Sequence, residues 1–209
     1  MHIPPVLAPT LLAAIPSAGL AVQVARRCAE GAPPPPLPIA AGVVAAFAWA
    51  ALAIQPIPIL IVSLGLGWSL VCLAAIDVAC LRLPDILTLP LIGAGLGLAA
   101  LLPGRPVLDH VAGAAAGWGA LAALALIYRR WRGVDGVGLG DAKLLAAAGA
   151  WLGWRPLPSV VLIACAAAFV WVGFQAVRRG RAALGDPLAF GAPLCLATWI
   201  VWLHGPLSI

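Results

Sequence analysis

The chain has 209 residues, of which 64% are hydrophobic and 9% charged, and a formal charge of +5. A soluble domain has about 45–50% apolar and about 25% charged residues. The composition therefore excludes a water-soluble globular enzyme and points to an all-α polytopic membrane protein. The +5 charge does not point to nucleic-acid binding, because the basic residues lie in loops between apolar segments.

A single crossing needs roughly 20 apolar residues, so the length allows about eight transmembrane helices and no sizeable soluble domain. The apolar segments run over about 5–24, 39–55, 57–76, 86–102, 107–128, 141–154, 158–177 and 188–204. The first has no Lys or Arg before its apolar run and reads as a membrane helix, not a cleaved signal peptide. Residues 25–38 form a Pro-rich loop, ARRCAEGAPPPPLP, expected to be extended and exposed. Segment three ends just before Asp77. Asp85 follows Pro84 and opens segment four, an N-cap pattern. Segment five contains Gly113 and Gly117 at GxxxG spacing, which favours close helix packing. Segment six is short and opens at Asp141. Five cysteines without a CxxC pair indicate neither a zinc site nor a disulfide framework, and no metal is expected. Tryptophans near segment ends, and His2, His110 and His204 near one face, read as interfacial groups or packing.

Arginines set the orientation. Arg26, Arg27, Arg82, Arg129, Arg130, Arg132, Arg178, Arg179 and Arg181 fall in alternate loops and share one side, whereas only Arg105 and Arg155 lie on the other. Cytoplasmic loops carry the excess of Lys and Arg. Both termini are therefore expected outside, with Asp77, Asp85 and Asp141 at the cytoplasmic face. A seven-span alternative, with an interfacial first segment, leaves the aspartates where they are.

Acids are few, seven in the whole chain. A carboxylate retained beside apolar helices is costly and marks function. Asp77, in Ala74-Ala75-Ile76-Asp77, has an apolar setting that favours the protonated acid. Asp141 opens a helix, where the macrodipole favours the carboxylate. Two acids driven apart in this way divide general-acid and general-base work: one takes a proton from water and the other polarises a carbonyl. Read alone, Asp77 is equally a helix cap or a partner of Arg82, and Asp85 is foremost a cap. In Gly136-Val137-Gly138-Leu139-Gly140-Asp141-Ala142-Lys143, the missing side chains let the backbone bend and another peptide approach. Lys143 is expected to pair with Asp141 or to meet lipid headgroups. The stretch lacks the GxxxxGK[ST] pattern of a phosphate loop.

These residues carry a resemblance. Ile76-Asp77 with Leu83-Pro84-Asp85 and Leu87-Thr88-Leu89-Pro90, then Gly138-Leu139-Gly140-Asp141-Ala142-Lys143 running to Gly149-Ala150-Trp151-Leu152-Gly153, and then Asp186-Pro187 to Phe190-Gly191-Ala192-Pro193, resemble the type IV prepilin peptidases. These are membrane aspartyl proteases of the GxGD kind, and the resemblance covers about residues 57–204. It implies a single membrane-embedded peptidase domain over 1–209. Asp77 and Asp141 would be the catalytic pair, supported by Gly138, Gly140, Lys143 and Asp85. The implied reaction is leader-peptide cleavage of type IV prepilins or type II secretion pseudopilins at the cytoplasmic face of the bacterial inner membrane, without a cofactor. Glu30 and Asp135 are candidates for binding a basic leader.

Many members of that family carry a zinc-binding cytoplasmic domain after the first helix, and also N-methylate the product with S-adenosylmethionine. Here that loop has the single Cys28, so zinc is not expected, and S-adenosylmethionine is expected only if methylation is retained. The alternatives are a small proton-coupled transporter, which places its acids near the midplane of repeated halves, or a non-catalytic pilus or secretion assembly protein.

Overall fold

A computed structural model describes residues 5–29, 34–54, 57–133, 138–180 and 187–207. Among these residues there are eight α-helices and no strand: α1 Leu7–Cys28, α2 Pro36–Ala53, α3 Ile57–Cys80, α4 Asp85–Leu101, α5 Val107–Arg132, α6 Leu139–Leu152, α7 Leu157–Arg179 and α8 Gly191–His204. α1, α2, α3, α5 and α7 are long and apolar enough to cross a membrane, while α4 and α8 are shorter apolar helices. The protein is an all-α membrane protein. Glu30, Asp135, Gly136, Arg181 and Asp186 lie outside the described residues.

The chain forms two compact units, Met1–Cys80 and Leu81–Ile209. In the first, α1, α2 and α3 pack on one another through small residues. Ala14, Ala21, Ala25, Val43 and Ala50 are fully buried. A Cβ on Gly42 would stand 3.1 Å from Val71 Cγ1, so α2 meets α3 closely there. Pro16 lies inside α1 and removes one backbone donor. At the next residue, the Ser17 carbonyl accepts a 2.9 Å hydrogen bond from Trp68 Nε1 of α3. A polar bond between apolar helices satisfies groups that lipid cannot.

The second unit is built around α6, which packs against α4, α5, α7 and α8. Nine of its 14 residues are buried, mostly alanines. A helix apolar on all sides belongs in an interior, and alanine lets neighbours come near from every side. Glycine takes this to the limit. A Cβ on Gly149 would lie 2.1 Å from the Gly113 carbonyl oxygen, and one on Gly117 would lie 2.5 Å from that of Leu145. α5 and α6 thus touch backbone to backbone, and the GxxxG pair of α5 serves packing within the unit. At 1.5 Å per residue α6 spans about 21 Å, less than the roughly 30 Å hydrocarbon core. Short helices are tolerated at depth where protein surrounds them. By contrast α5 and α7 expose Leu124, Leu126, Ile127, Phe169, Val170 and Val177, an outward apolar surface suited to lipid.

Candidate active site

α3 continues beyond the expected end of its segment and holds Asp77 in its last turn. The residue is 4% exposed. A carboxyl at this burial must be protonated or hydrogen-bonded to be tolerated. The helix stops at Cys80, where Leu81 adopts a left-handed φ of 54°. That conformation is unfavourable for a leucine, and it turns the chain sharply into Arg82-Leu83-Pro84.

The second unit organises Asp141 from its own residues. Pro84 is extended (φ −71°, ψ 135°) and precedes α4 as its N-cap residue. Asp85 is the first helical residue and makes no capping bond, which corrects the expectation that it caps. Its carboxylate instead accepts a 2.5 Å ion-paired hydrogen bond from Lys143 Nζ of α6. This tie fixes the partner of Lys143 and sets the starts of α4 and α6 side by side. The pair is partly exposed, 56% at Asp85 and 32% at Lys143, so it contributes about 0–1 kcal/mol and acts chiefly as a register pin.

Asp141 occupies the first turn of α6, partly buried, with its backbone N–H donating to the Gly138 carbonyl at 3.1 Å. The two described glycines of the motif play different parts. Gly138 has an ordinary extended backbone (φ −70°, ψ 131°), and a Cβ there would meet Asp141 Oδ2 at a normal 3.4 Å. A Cβ on Gly140 would stand 3.2 Å from Leu83 Cβ and 3.5 Å from the Leu83 nitrogen. Gly140 therefore admits the Leu83-Pro84-Asp85 segment against the start of α6. Close approach, not bending, is what its missing side chain provides.

Two buried side chains hold the far half of α6. Trp151 Nε1 donates to the Leu91 carbonyl of α4 at 2.8 Å, and His110 Nδ1 of α5 donates to the Ala150 carbonyl at 3.0 Å. His110 is 6% exposed, so its ring packs inside the second unit. In the sequence Leu83 stood out only as part of Leu83-Pro84-Asp85 and His110 only as a group near one face, since neither motif nor spacing distinguishes a bracing residue from its apolar neighbours. Asp85, Lys143, Gly140 and Leu83 are brought together around the start of α6, and Asp141 stands in the same turn. Asp77 belongs to the first unit.

Residues 64–173, which contain both aspartates, match the type IV leader peptidase family. The chain belongs to this family. It is 42% identical over 161 residues to a prepilin leader peptidase/N-methyltransferase of Burkholderia pseudomallei (strain 1026b), covering 77% of this chain and 51% of that protein. It is 44% identical over 142 residues to the protein of that name from Aeromonas hydrophila, covering 67% and 48%. With the Pseudomonas aeruginosa relative of the same name the identity is 37% over 145 residues, again 67% and 48%. The chain thus spans about half the length of these leader peptidase relatives. No solved structure matches it.

Proposed function

We propose that this leader peptidase homologue is an aspartyl endopeptidase that removes the leader of type IV prepilins or pseudopilins, using Asp77 and Asp141. The observation that carries the reading is that the matched 64–173 region holds a carboxyl buried in the last turn of an apolar helix and a second in the first turn of α6. Asp141, at a helix N-terminus, is the carboxylate that takes a proton from the attacking water. Asp77, enclosed by apolar helix, carries the proton that polarises the scissile carbonyl. As the C–N bond breaks, the proton that Asp141 took from water passes to the leaving amine, which returns Asp141 to the carboxylate and leaves Asp77 protonated for the next turnover. Lys143, Asp85 and Gly140 position the start of α6 and do not touch the reacting atoms.

The arginine distribution supports an active site at the cytoplasmic face of the inner membrane, with both termini periplasmic. The peptidase step needs no cofactor. The relatives' names include N-methyltransferase, and S-adenosylmethionine enters only if this chain retains that step. A transporter reading gains no support, because both acids stand in terminal helical turns.

The test is incubation of the purified protein in detergent with a prepilin and S-adenosylmethionine, followed by mass spectrometry. Loss of the leader mass is expected. Prepilin left intact across several substrates would contradict the reading, and an added methyl on the product would assign the second activity.

A further inference from the structure

A cavity of about 420 Å³ opens at the end of the second unit remote from Asp141. From Asp141 to Trp151, on its wall, α6 rises by roughly 15 Å. The cavity is framed by the α4–α5 and α6–α7 turns and the end of α8, and Arg105, Asp109, His110, Trp154, Arg155 and Trp202 line it. Arg105 and Arg155 are the two arginines that the charge pattern assigns to this end, and both face this one space.

The two guanidiniums are mounted on indole rings. Arg105 Cζ lies 4.9 Å from the Trp202 ring centroid, and Arg155 Cζ lies 5.7 Å from that of Trp154. Trp202 is itself set edge-to-face against buried Trp151, with centroids 5.4 Å apart and planes at 82°. A guanidinium held over an indole face by cation–π attraction spends none of its N–H donors on that contact. Among the described residues, Arg105 places Nη1 on the Trp151 carbonyl at 3.2 Å, so most of its five donors remain available. Burial pulls this guanidinium below its ordinary value, and an anion beside it would offset that cost.

Charge and surroundings narrow the anion. Two guanidiniums against the Asp109 carboxylate leave one net positive charge, which matches a phosphodiester. Inorganic phosphate carries about −1.5 to −2 at neutral pH. Tryptophan is enriched at headgroup depth, and Trp154 and Trp202 both line this cavity. Leu101 and Leu108, on either side of the Arg105 turn in sequence, are 83% and 81% exposed and offer a surface for acyl chains.

We propose that this cavity seats the phosphodiester of a phospholipid headgroup between Arg105 and Arg155, on the opposite face of the unit from Asp141. The site requires a membrane but not the peptidase chemistry, so it stands or falls separately from the function above.

The experiment is native mass spectrometry of the full chain in detergent with phosphatidylglycerol, the matching diacylglycerol, and inorganic phosphate as competitor. Wild type is expected to retain phosphatidylglycerol over diacylglycerol, and millimolar phosphate should not displace it. Arg155→Gln and Arg105→Gln should each weaken retention about tenfold, the loss of a charge-assisted bond. Arg155 is exposed, so its variant reports binding without a folding defect. Equal retention of the two lipids, or of phosphatidylglycerol by wild type and Arg155→Gln, would overturn the proposal. Displacement by phosphate would overturn the lipid as the ligand and make the cavity a site for a soluble anion.

Discussion

Gly138 and Gly140 stand two residues apart in one motif, yet their surroundings differ. A methyl at Gly138 would make an ordinary contact with Asp141 Oδ2 at 3.4 Å, whereas at Gly140 it would press on Leu83 at 3.2 Å. Overpacking of this kind costs about 1–3 kcal/mol, and the displaced segment leads into Asp85 and its bond to Lys143. Gly140→Ala is accordingly expected to lower prepilin cleavage about tenfold, a loss of order 1.4 kcal/mol, with Gly138→Ala near wild type. A cleavage assay on the two variants checks the contrast, and the reverse order would contradict it. At this scale the sequence made the GxGD stretch and the two acids visible, because charge and glycine are conspicuous in an apolar chain. It did not reveal that Asp85 faces Lys143, since that pairing joins residues 58 apart through the packing of α4 on α6.

Among elements, α6 is the one whose surroundings leave no freedom. Its contact with α5 is made through Gly113, Gly117 and Gly149, where any side chain would collide with backbone. Such proximity allows Cα–H···O contacts and dense packing, which hold membrane helices together when lipid and side chains are equally apolar. Gly149→Val should separate α5 from α6 and sharply lower folded yield and thermal stability. Gly119→Ala, with nothing within 4 Å of its added methyl, should leave both unchanged. Thermal unfolding in detergent compares the two, and a stable Gly149→Val protein would contradict the packing described.

The helices themselves were readable. Segments expected at 57–76, 86–102 and 107–128 are Ile57–Cys80, Asp85–Leu101 and Val107–Arg132, because length, proline and charge mark where an apolar run stops. Which face of each helix meets protein was not readable. In lipid both the packed and the outward faces are apolar, so α6 with nine buried residues and α5 with three are alike runs rich in alanine and leucine.

For the whole molecule, the two acids are divided between two compact units, Asp77 ending the first helical group and Asp141 opening the central helix of the second. Leader cleavage by the proposed aspartyl pair requires that they act as one catalytic group. Motif and family membership carried that expectation, and no property of composition could have joined residues from separate units. The decisive measurement is the cleavage rate of wild type, Asp77→Asn, Asp141→Asn and the double variant on one prepilin, each checked for folding. Removing an acid–base group costs roughly 10²–10⁴-fold, and members of one catalytic unit are strongly non-additive. Each single variant should lose activity on that scale, and the double should lose no more than the worse single. Cleavage surviving in either single variant, or a double-variant loss equal to the product of the two, would contradict the shared site.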